Sequence, residues 1–473
     1  MQQLTPNDAM FYRMDRPHNP ASVAVLWICD QSQAPGGVVR HKDILDYLSD
    51  RINSNSMFRR RLQKAPFSLD YPYWLQDGHF DLEYHVRHVG LPQPGDWRQL
   101  CIFTSRIMSR AMDNDRAPWE IYIIEGLNKL EDTPPGSFAV LIRLHHAYVD
   151  GKSAVELLTG LMTDTPEFEN ARKSVAVAEA APTSLEMWAR TVPNLVGQTA
   201  KSVKAGVRGV KVGAELITRL QGESKPDQGS SPRTRFTAKI SPHRVYSSLT
   251  WTIADLQKMR RLQADSSLND VIISIIAGGM RRYLQKHGDL PAEKSLTAVC
   301  PVSMRPTEAS KDGGNMVSGM VIGIGTDVED PVTRLGLVQQ RTARGIPLAR
   351  DVIGSLSDAI NDLMPAYMHN LQSWAMNKLD IAARFPSINT IITNVPGPAG
   401  GKKYFAGARI LKVNPVVPIT DGIGITHSIT GLESLLTLGV MSDRAIVRDI
   451  DFYMACMQAS TDEYLLKAAE SQN

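Results

Sequence analysis

A mixed α/β fold in two domains is what this sequence predicts, and three observations carry the prediction. Strand-like and helix-like apolar patterns alternate along the chain, the signature of the α/β and α+β classes. The 473 residues exceed one ordinary core and suit two domains of roughly 200 residues each. The composition also breaks in the middle. Residues 164–185 are rich in Ala, Glu, Pro, Thr and Ser, and residues 222–234 are polar and breaker-rich, which is linker chemistry. The chain therefore divides into an N-terminal domain at 1–163, a crossover at 164–240 and a C-terminal domain at 241–473.

The first domain opens with a strand from Pro20 to Asp30. Residues 41–53 form a helix, because Ile44, Leu45, Leu48 and Ile52 recur at helical spacing. The basic run Phe58-Arg59-Arg60-Arg61-Leu62 reads as solvated surface. A helix at 97–112 follows, then a strand from Trp119 to Leu127 and a second apolar strand from Phe138 to Leu144. Lys152 to Leu158 returns to a helical pattern. In the crossover, Val203, Val207, Val210, Ala214 and Ile217 form one stripe, and Lys201, Lys204, Arg208 and Lys211 another face. That is a basic amphipathic helix, which either packs on its own protein or rests on anionic lipid. Gly206, Gly209 and Gly213 weaken it. The second domain restarts with a strand from Val245 to Trp251. An apolar helix from Val271 to Tyr283 is opened by Ser266-Ser267-Leu268-Asn269-Asp270. Strands follow at Leu296–Ser303, Val317–Thr326, Asn389–Asn394 and Leu435–Ser442, and a helix at Ile450–Ala469 closes the chain.

Composition narrows the function. A formal net charge of +3 is too small to argue for nucleic acid. The four cysteines, Cys29, Cys101, Cys300 and Cys456, include no CxxC pair. Neither a zinc site nor a disulfide framework is expected, and a reducing cytoplasm suits them. Met1 to Asp8 lacks the basic and apolar regions of a signal peptide. No apolar run approaches the roughly 20 residues that span a bilayer. Any membrane contact is therefore peripheral. Nineteen methionines read as adaptable core filler.

The chemistry concentrates at His145-His146-Ala147-Tyr148-Val149-Asp150-Gly151, at the junction of the Phe138–Leu144 strand and the helix that follows. A metal site is disfavoured: His146 and Asp150 stand at i and i+4, but no third ligand is evident. No G-x-S-x-G elbow supports a serine nucleophile. General-base catalysis remains, since a neutral imidazole with a pKa near 6.5 can take a hydroxyl proton. Asp150 either orients the imidazole or, the favoured reading, holds the loop by pairing with a cation such as Arg143. The bland alternative is a pair of loop histidines without function, which a spaced His-His-Asp-Gly set at a strand end makes less attractive.

With these residues in view, the chain resembles coenzyme A-dependent acyltransferases of the chloramphenicol acetyltransferase fold. More closely it resembles the bacterial wax ester synthases/diacylglycerol acyltransferases. The resemblance runs from Leu4-Thr5-Pro6-Asn7-Asp8-Ala9-Met10-Phe11 through Phe58–Leu62, His85-Val86-Arg87, Trp119-Glu120 and His145–Gly151. It continues at Asn269-Asp270-Val271, Pro301–Arg305, Gly314-Asn315, Asn394–Pro398 and Asp421-Gly422. It implies two chloramphenicol acetyltransferase-like domains, each a mixed sheet with helices, joined by a long crossover and enclosing an active-site tunnel.

The resemblance also implies roles. His146 would be the base and Asn269 an oxyanion donor, with helix capping as the alternative role for Asn269. His145 would shape the site or assist in the catalysis, and Asp150 completes the motif. Ser303, Arg305, Thr393 and Asn394 would bind acyl-CoA, which is a co-substrate; no cofactor is implied. The acceptor would be a fatty alcohol or diacylglycerol. The same fold also serves other lipid or polyketide alcohols and amine acceptors, and a lipid-surface protein with weak or no activity is the non-enzymatic alternative. The implied location is the cytoplasm, with peripheral association to the inner membrane or lipid droplets. The chain departs from the family pattern at Ala117-Pro118-Trp119, at Pro20-Ala21-Ser22-Val23, at Thr237 and at Thr426.

Overall fold

The structure, a computed structural model, describes residues 1–148, 151–168, 180–200, 202, 231–302, 318–348 and 365–471. Two six-stranded sheets organise it, with a small three-stranded sheet beside the first. The N-terminal sheet runs in the order Tyr404–Phe405, Ala408–Val416, Ser22–Asp30, Phe138–His145, Trp119–Glu125, Val86–Gly90. The C-terminal sheet runs Ser318–Gly323, Thr297–Val302, Thr390–Asn394, Ile425–Leu432, Leu435–Asp443, Arg244–Thr252. Both sheets mix parallel and antiparallel pairs. The class predicted from the sequence is the class observed.

The alternation of side chains explains the layers. On one face of the N-terminal sheet Val25, Trp27, Ile121, Ile123, Val140 and Ile142 meet Ile44, Tyr47, Leu48 and Ile52 of helix His41–Ser54. On the other face Leu26, Ile28, Tyr122, Ile124 and Leu141 meet Leu100 and Ile107 of helix Trp97–Met108. The strand Phe138–His145 is buried at every position because both faces are covered. Helix Trp97–Met108 also turns Cys101 and Met108 into the C-terminal core. It thereby wedges between the two halves, with the Trp97 Nε1 donating to Ser247 Oγ at 3.3 Å.

The boundary at residue 241 divides the halves by sequence and not by hydrogen bonding. Strand Ala408–Val416 pairs antiparallel with Ser22–Asp30, from Arg409 opposite Asp30 to Val416 opposite Ala24. The C-terminal half thus supplies two strands of the N-terminal sheet. Without them Ser22–Asp30 would be an open apolar edge. Asn414 stitches the halves further: its Nδ2 donates to Leu26 O at 3.0 Å, and its Oδ1 accepts from Ser248 at 2.9 Å. Gly439 permits this approach, since a Cβ there would overlap the Pro415 carbonyl oxygen.

Candidate active site

His145 is the last residue of strand Phe138–His145, paired with Ser22 of the neighbouring strand. It is fully buried. Its Nδ1 accepts from the Ala147 amide at 3.1 Å, so the proton of a neutral ring sits on Nε2. That Nε2 faces Asp15 Oδ2 at 3.7 Å. Asp15 follows helix Pro6–Met14. Its Oδ1 also accepts from the Ala21 amide at 3.0 Å, and Asn114 Nδ2 reaches its Oδ2 at 3.5 Å. Burial pushes this carboxyl up, but the His145 ring, the Ala21 amide and Asn114 outweigh it and hold it below its ordinary value of 3.8.

His146 is only half-buried, unlike its neighbour. Its amide donates to Ala21 O at 2.8 Å. Its ring stacks on Phe11, with centroids 3.7 Å apart and planes 14° from parallel. Phe11 and Asp15 are four residues apart, so one helical face presents both. A single N-terminal segment therefore grips both histidines, one through its ring and one through a carboxylate. Ala21 closes the arrangement, donating to Asp15 and accepting from His146.

Support beneath the pair is ionic. Arg143 is 1% exposed and reaches Glu120 at 3.3 Å, Ser22 Oγ at 3.1 Å and the Arg110 carbonyl. Glu120 also binds Arg87 at 3.3 Å and accepts from Tyr122 at 3.1 Å. Burial lowers the Arg143 guanidinium and Glu120 opposes that shift. Glu120 stands opposite Arg143, the cation expected for Asp150, in the register of the adjacent strand. Asp150 itself lies outside the described residues.

In the other half, Asn269 is the second residue of helix Leu268–Lys286. The capping role is not its own. Ser267 is the N-cap, accepting from the Asp270 amide at 3.2 Å, while Asp270 accepts from the Ser267 amide at 2.7 Å. Asn269 Oδ1 instead accepts from Asn394 Nδ2 at 2.6 Å. Two residues chosen from the sequence thus meet, at the end of strand Thr390–Asn394. Thr393 is half-buried in that strand, opposite Ser428. Ser303, Arg305 and the basic amphipathic stretch at 201–219, apart from Ser202, lie outside the described residues. Thr426 and Thr237 are buried and spend their hydroxyls on the Val417 and Thr234 carbonyls.

Sequence reasoning missed Asp15 and gave Phe11 no role. Their only local signal is the i, i+4 spacing, which many surface helices share. Among the described residues no group of three or more His, Cys, Asp or Glu is placed to hold a metal ion, and no helix is long and apolar enough to cross a membrane. The four cysteines are buried and unpaired.

Comparison with known proteins follows the same lines. The model of the wax ester synthase/diacylglycerol acyltransferase catalytic domain matches residues 4–272, and that of the WS/DGAT C-terminal domain matches residues 313–464. A putative diacylglycerol O-acyltransferase of Mycobacterium tuberculosis is 28% identical over 467 residues, covering 95% of this chain and 87% of its own. A second protein of that organism, a probable diacylglycerol O-acyltransferase, is 29% identical over 452 residues, with 95% and 92% covered. Among solved structures, the wax ester synthase/diacylglycerol acyltransferase of Marinobacter aquaeolei VT8 superposes with a TM-score of 0.69 at 22% identity, covering 99% of this chain and all of that one. The first condensation domain of the calcium-dependent antibiotic synthetase superposes at 0.56 with 14% identity, covering 99% and 96%. These two likenesses speak for the fold.

Proposed function

Because this chain belongs to the wax ester synthase/diacylglycerol acyltransferase family, and is thereby an acyl-CoA-dependent O-acyltransferase, we propose that His146 is its general base and that the acceptor is a lipid hydroxyl. The observation that carries the reading is the contrast within the histidine pair. His145 is sealed, with one ring nitrogen on a backbone amide and the other facing Asp15. His146 is half-exposed, with its backbone tied to Ala21 and its ring plane set by Phe11. A base must be both held and reachable.

In this reading a neutral His146 ring accepts the hydroxyl proton as the acceptor oxygen attacks the thioester carbonyl. The resulting tetrahedral oxyanion needs hydrogen-bond donors, each worth roughly 3 kcal/mol. Asn269 is assigned that task. Asn394 engages its carbonyl oxygen, which leaves the amide Nδ2 as the donating end. Collapse breaks the carbon–sulfur bond, and His146 returns the proton to the departing thiolate of coenzyme A. Thiolate leaves far more readily than alkoxide because its conjugate acid is much stronger. No covalent acyl-enzyme and no resident cofactor enter this route. Ser303, Arg305, Thr393 and Asn394 are assigned to the acyl-CoA side. The acceptor is a long-chain alcohol, giving a wax ester, or diacylglycerol, giving triacylglycerol. Asp150 is assigned to the loop that follows the histidines.

The test is an acyl-CoA by acceptor matrix, with palmitoyl-CoA set against hexadecanol and dioleoylglycerol. Ester mass and thiol release are followed together. His146→Ala is expected to abolish both while the thermal midpoint stays near that of the parent. Undiminished turnover in that variant would remove His146 as the base. Absence of ester with either acceptor would remove the lipid-hydroxyl assignment.

A further inference from the structure

The basic run Phe58–Leu62 does not turn all of its charge to solvent, as the sequence reading expected. Arg60 does, with its Nη1 donating to Gln2 Oε1 at 3.3 Å on the open surface. Arg59 turns inward. It ends the short helical turn Ser56–Arg59, and its guanidinium lies over the Phe80 ring, 5.0 Å from the centroid. Its Nε is shut off from solvent and has no hydrogen-bond partner among the described residues. A buried N–H without an acceptor costs free energy, which an acceptor brought from outside recovers.

Beside Arg59 lies a cavity of about 290 Å³, between helix His41–Ser54 and the turn that leads into helix Leu82–His85. Space of that size is at the small end of ligand pockets. Ile52, Phe80 and Leu82 give it apolar walls. Ser49 and Asn53 add a polar ledge on successive turns of one helix, the Asn53 Nδ2 donating to Ser49 Oγ at 3.3 Å. Asp81 is the carboxylate of the lining. It is exposed, and its Oδ1 caps the helix that follows by accepting from the Glu83 amide at 3.0 Å. One inward cation and one carboxylate at the rim admit a singly charged anion with an apolar body. A multiply charged anion would meet Asp81 as well as Arg59.

The wall that carries Arg59 is bonded to both flanks of the histidine pair. The Met57 carbonyl accepts from the hydroxyl of Tyr148, a buried residue just past His146. The Phe58 carbonyl accepts from Trp119 Nε1 at 2.7 Å, and Trp119 stands opposite Leu144, the residue before His145. Phe80 completes the contact, its ring centroid 6.0 Å from that of Trp119. A ligand that pulls on Arg59 therefore pulls on the turn that braces the histidines.

We propose that this cavity binds a small organic monocarboxylate, with the carboxylate on Arg59 and the carbon chain against Ile52, Phe80 and Leu82, and that its occupancy acts on the loop holding the histidine pair. The link to the loop, though not the site itself, rests on the reading of His146 as the base.

The probe is hexanoate, titrated into the full chain and followed by calorimetry, with hexanol and inorganic phosphate as controls. Hexanoate is expected to saturate, and both controls to bind about tenfold or more weakly, since one lacks the charge and the other the apolar body. Arg59→Gln removes the cation and should weaken hexanoate by about tenfold or more. Ser49→Phe keeps Arg59 and fills the cavity, and should weaken it likewise; either variant decides the question should the other fail to fold. Hexanoate that does not saturate wild type, or that binds the folded variants as it binds wild type, would overturn the site. Phosphate bound as tightly as hexanoate would do the same, as an adventitious ion only, and hexanol bound as tightly would remove Arg59 from it. In thiol-release assays, saturating hexanoate should change wild-type kcat by about fivefold or more and leave that of Arg59→Gln unmoved. A kcat unmoved in wild type, or moved equally in both, would overturn the link to the loop. Hexanoate binding by a chain that releases no thiol with any acceptor supports the site and counts against the acyl-transfer reading.

Discussion

Replacing Asp15 by asparagine exchanges a carboxylate for an amide of the same shape and so isolates its charge and its acceptor-only character. The carboxylate accepts from the Ala21 amide at 3.0 Å, and the asparagine carbonyl can keep that bond. The amide group then faces His145 Nε2, where Asp15 Oδ2 stands at 3.7 Å. Two donors meet there. Moving the ring proton to Nδ1 relieves that clash and creates another, because Nδ1 accepts from the Ala147 amide at 3.1 Å. Either tautomer sets donor against donor where wild type sets a ring N–H toward a carboxylate at 3.7 Å, at a cost of about 1–3 kcal/mol. Loss of the charge-assisted character of the Ala21 bond adds to this, so about 2–4 kcal/mol is expected at neutral pH. The folded-state pKa of Asp15 is depressed. Its contribution is therefore present above the unfolded value of about 4 and is lost as pH falls through the folded value. Urea unfolding of wild type and Asp15→Asn should show the full gap at pH 7 and a shrinking gap on the acid side. Because Ala21 also holds the His146 amide, kcat should fall roughly tenfold to a hundredfold, with KM little changed. Equal stabilities at pH 7, or a gap that does not narrow with acid, would refute the reasoning.

Phe11→Ala removes the ring that stacks on His146 at 3.7 Å; a stacked pair contributes about 0.5–1.5 kcal/mol, so kcat should drop up to about tenfold in steady-state assays, whereas Phe11→Tyr should restore most of it. Gly439→Ala drives a Cβ into the Pro415 carbonyl at the junction of the two sheets; calorimetry should register a loss of about 1–3 kcal/mol. His427 is buried between Thr390 Oγ1 at 2.9 Å and the Tyr453 hydroxyl at 2.7 Å, and burial pulls its pKa down to about 3. It stays neutral when folded and charges when unfolded, so its contribution is complete above about pH 6.5 and is lost as pH falls toward the folded value. Acid titration of His427→Gln should show a shallower loss of stability over that window than wild type.

The sheets were legible because their central strands are apolar runs bounded by breakers. Pro20–Asp30 and Phe138–Leu144 announce themselves as buried strands, and Ser22–Asp30 and Phe138–His145 are what forms. Strand Ala408–Val416 did not announce itself. Its Lys412, Asn414 and Pro415 break the apolar pattern, and proline in a strand ordinarily argues against one. Here the Pro415 carbonyl accepts from Tyr246 at 3.2 Å and Asn414 bonds to both halves. The polar residues that hid the strand are the ones that join the domains. Strand Ile425–Leu432 was hidden in the same way, by the buried His427, Ser428 and Thr430. A pattern of polarity records exposure only where burial brings no partner, and at this junction Asn414, Ser248 and Tyr246 each find one.

The same physics separates what was legible in the candidate site from what was not. The histidine pair is a local word, readable because seven consecutive residues spell it. What orients each ring is remote in sequence: Phe11 and Asp15 stand more than a hundred residues before it, and no local spacing connects them. Arg143 makes the same point, since strand register sets it against Glu120, 23 residues before it. Asn269 shows the converse. Helix capping was a sound local expectation for an asparagine near a helix start, but Ser267 stands at the correct position and forms the reciprocal pair with Asp270. With the cap supplied two residues earlier, the Asn269 carboxamide is released from local bonding and meets Asn394 instead. A polar side chain at a helix start that is not needed for the helix is the kind that can turn its hydrogen bonds toward a substrate.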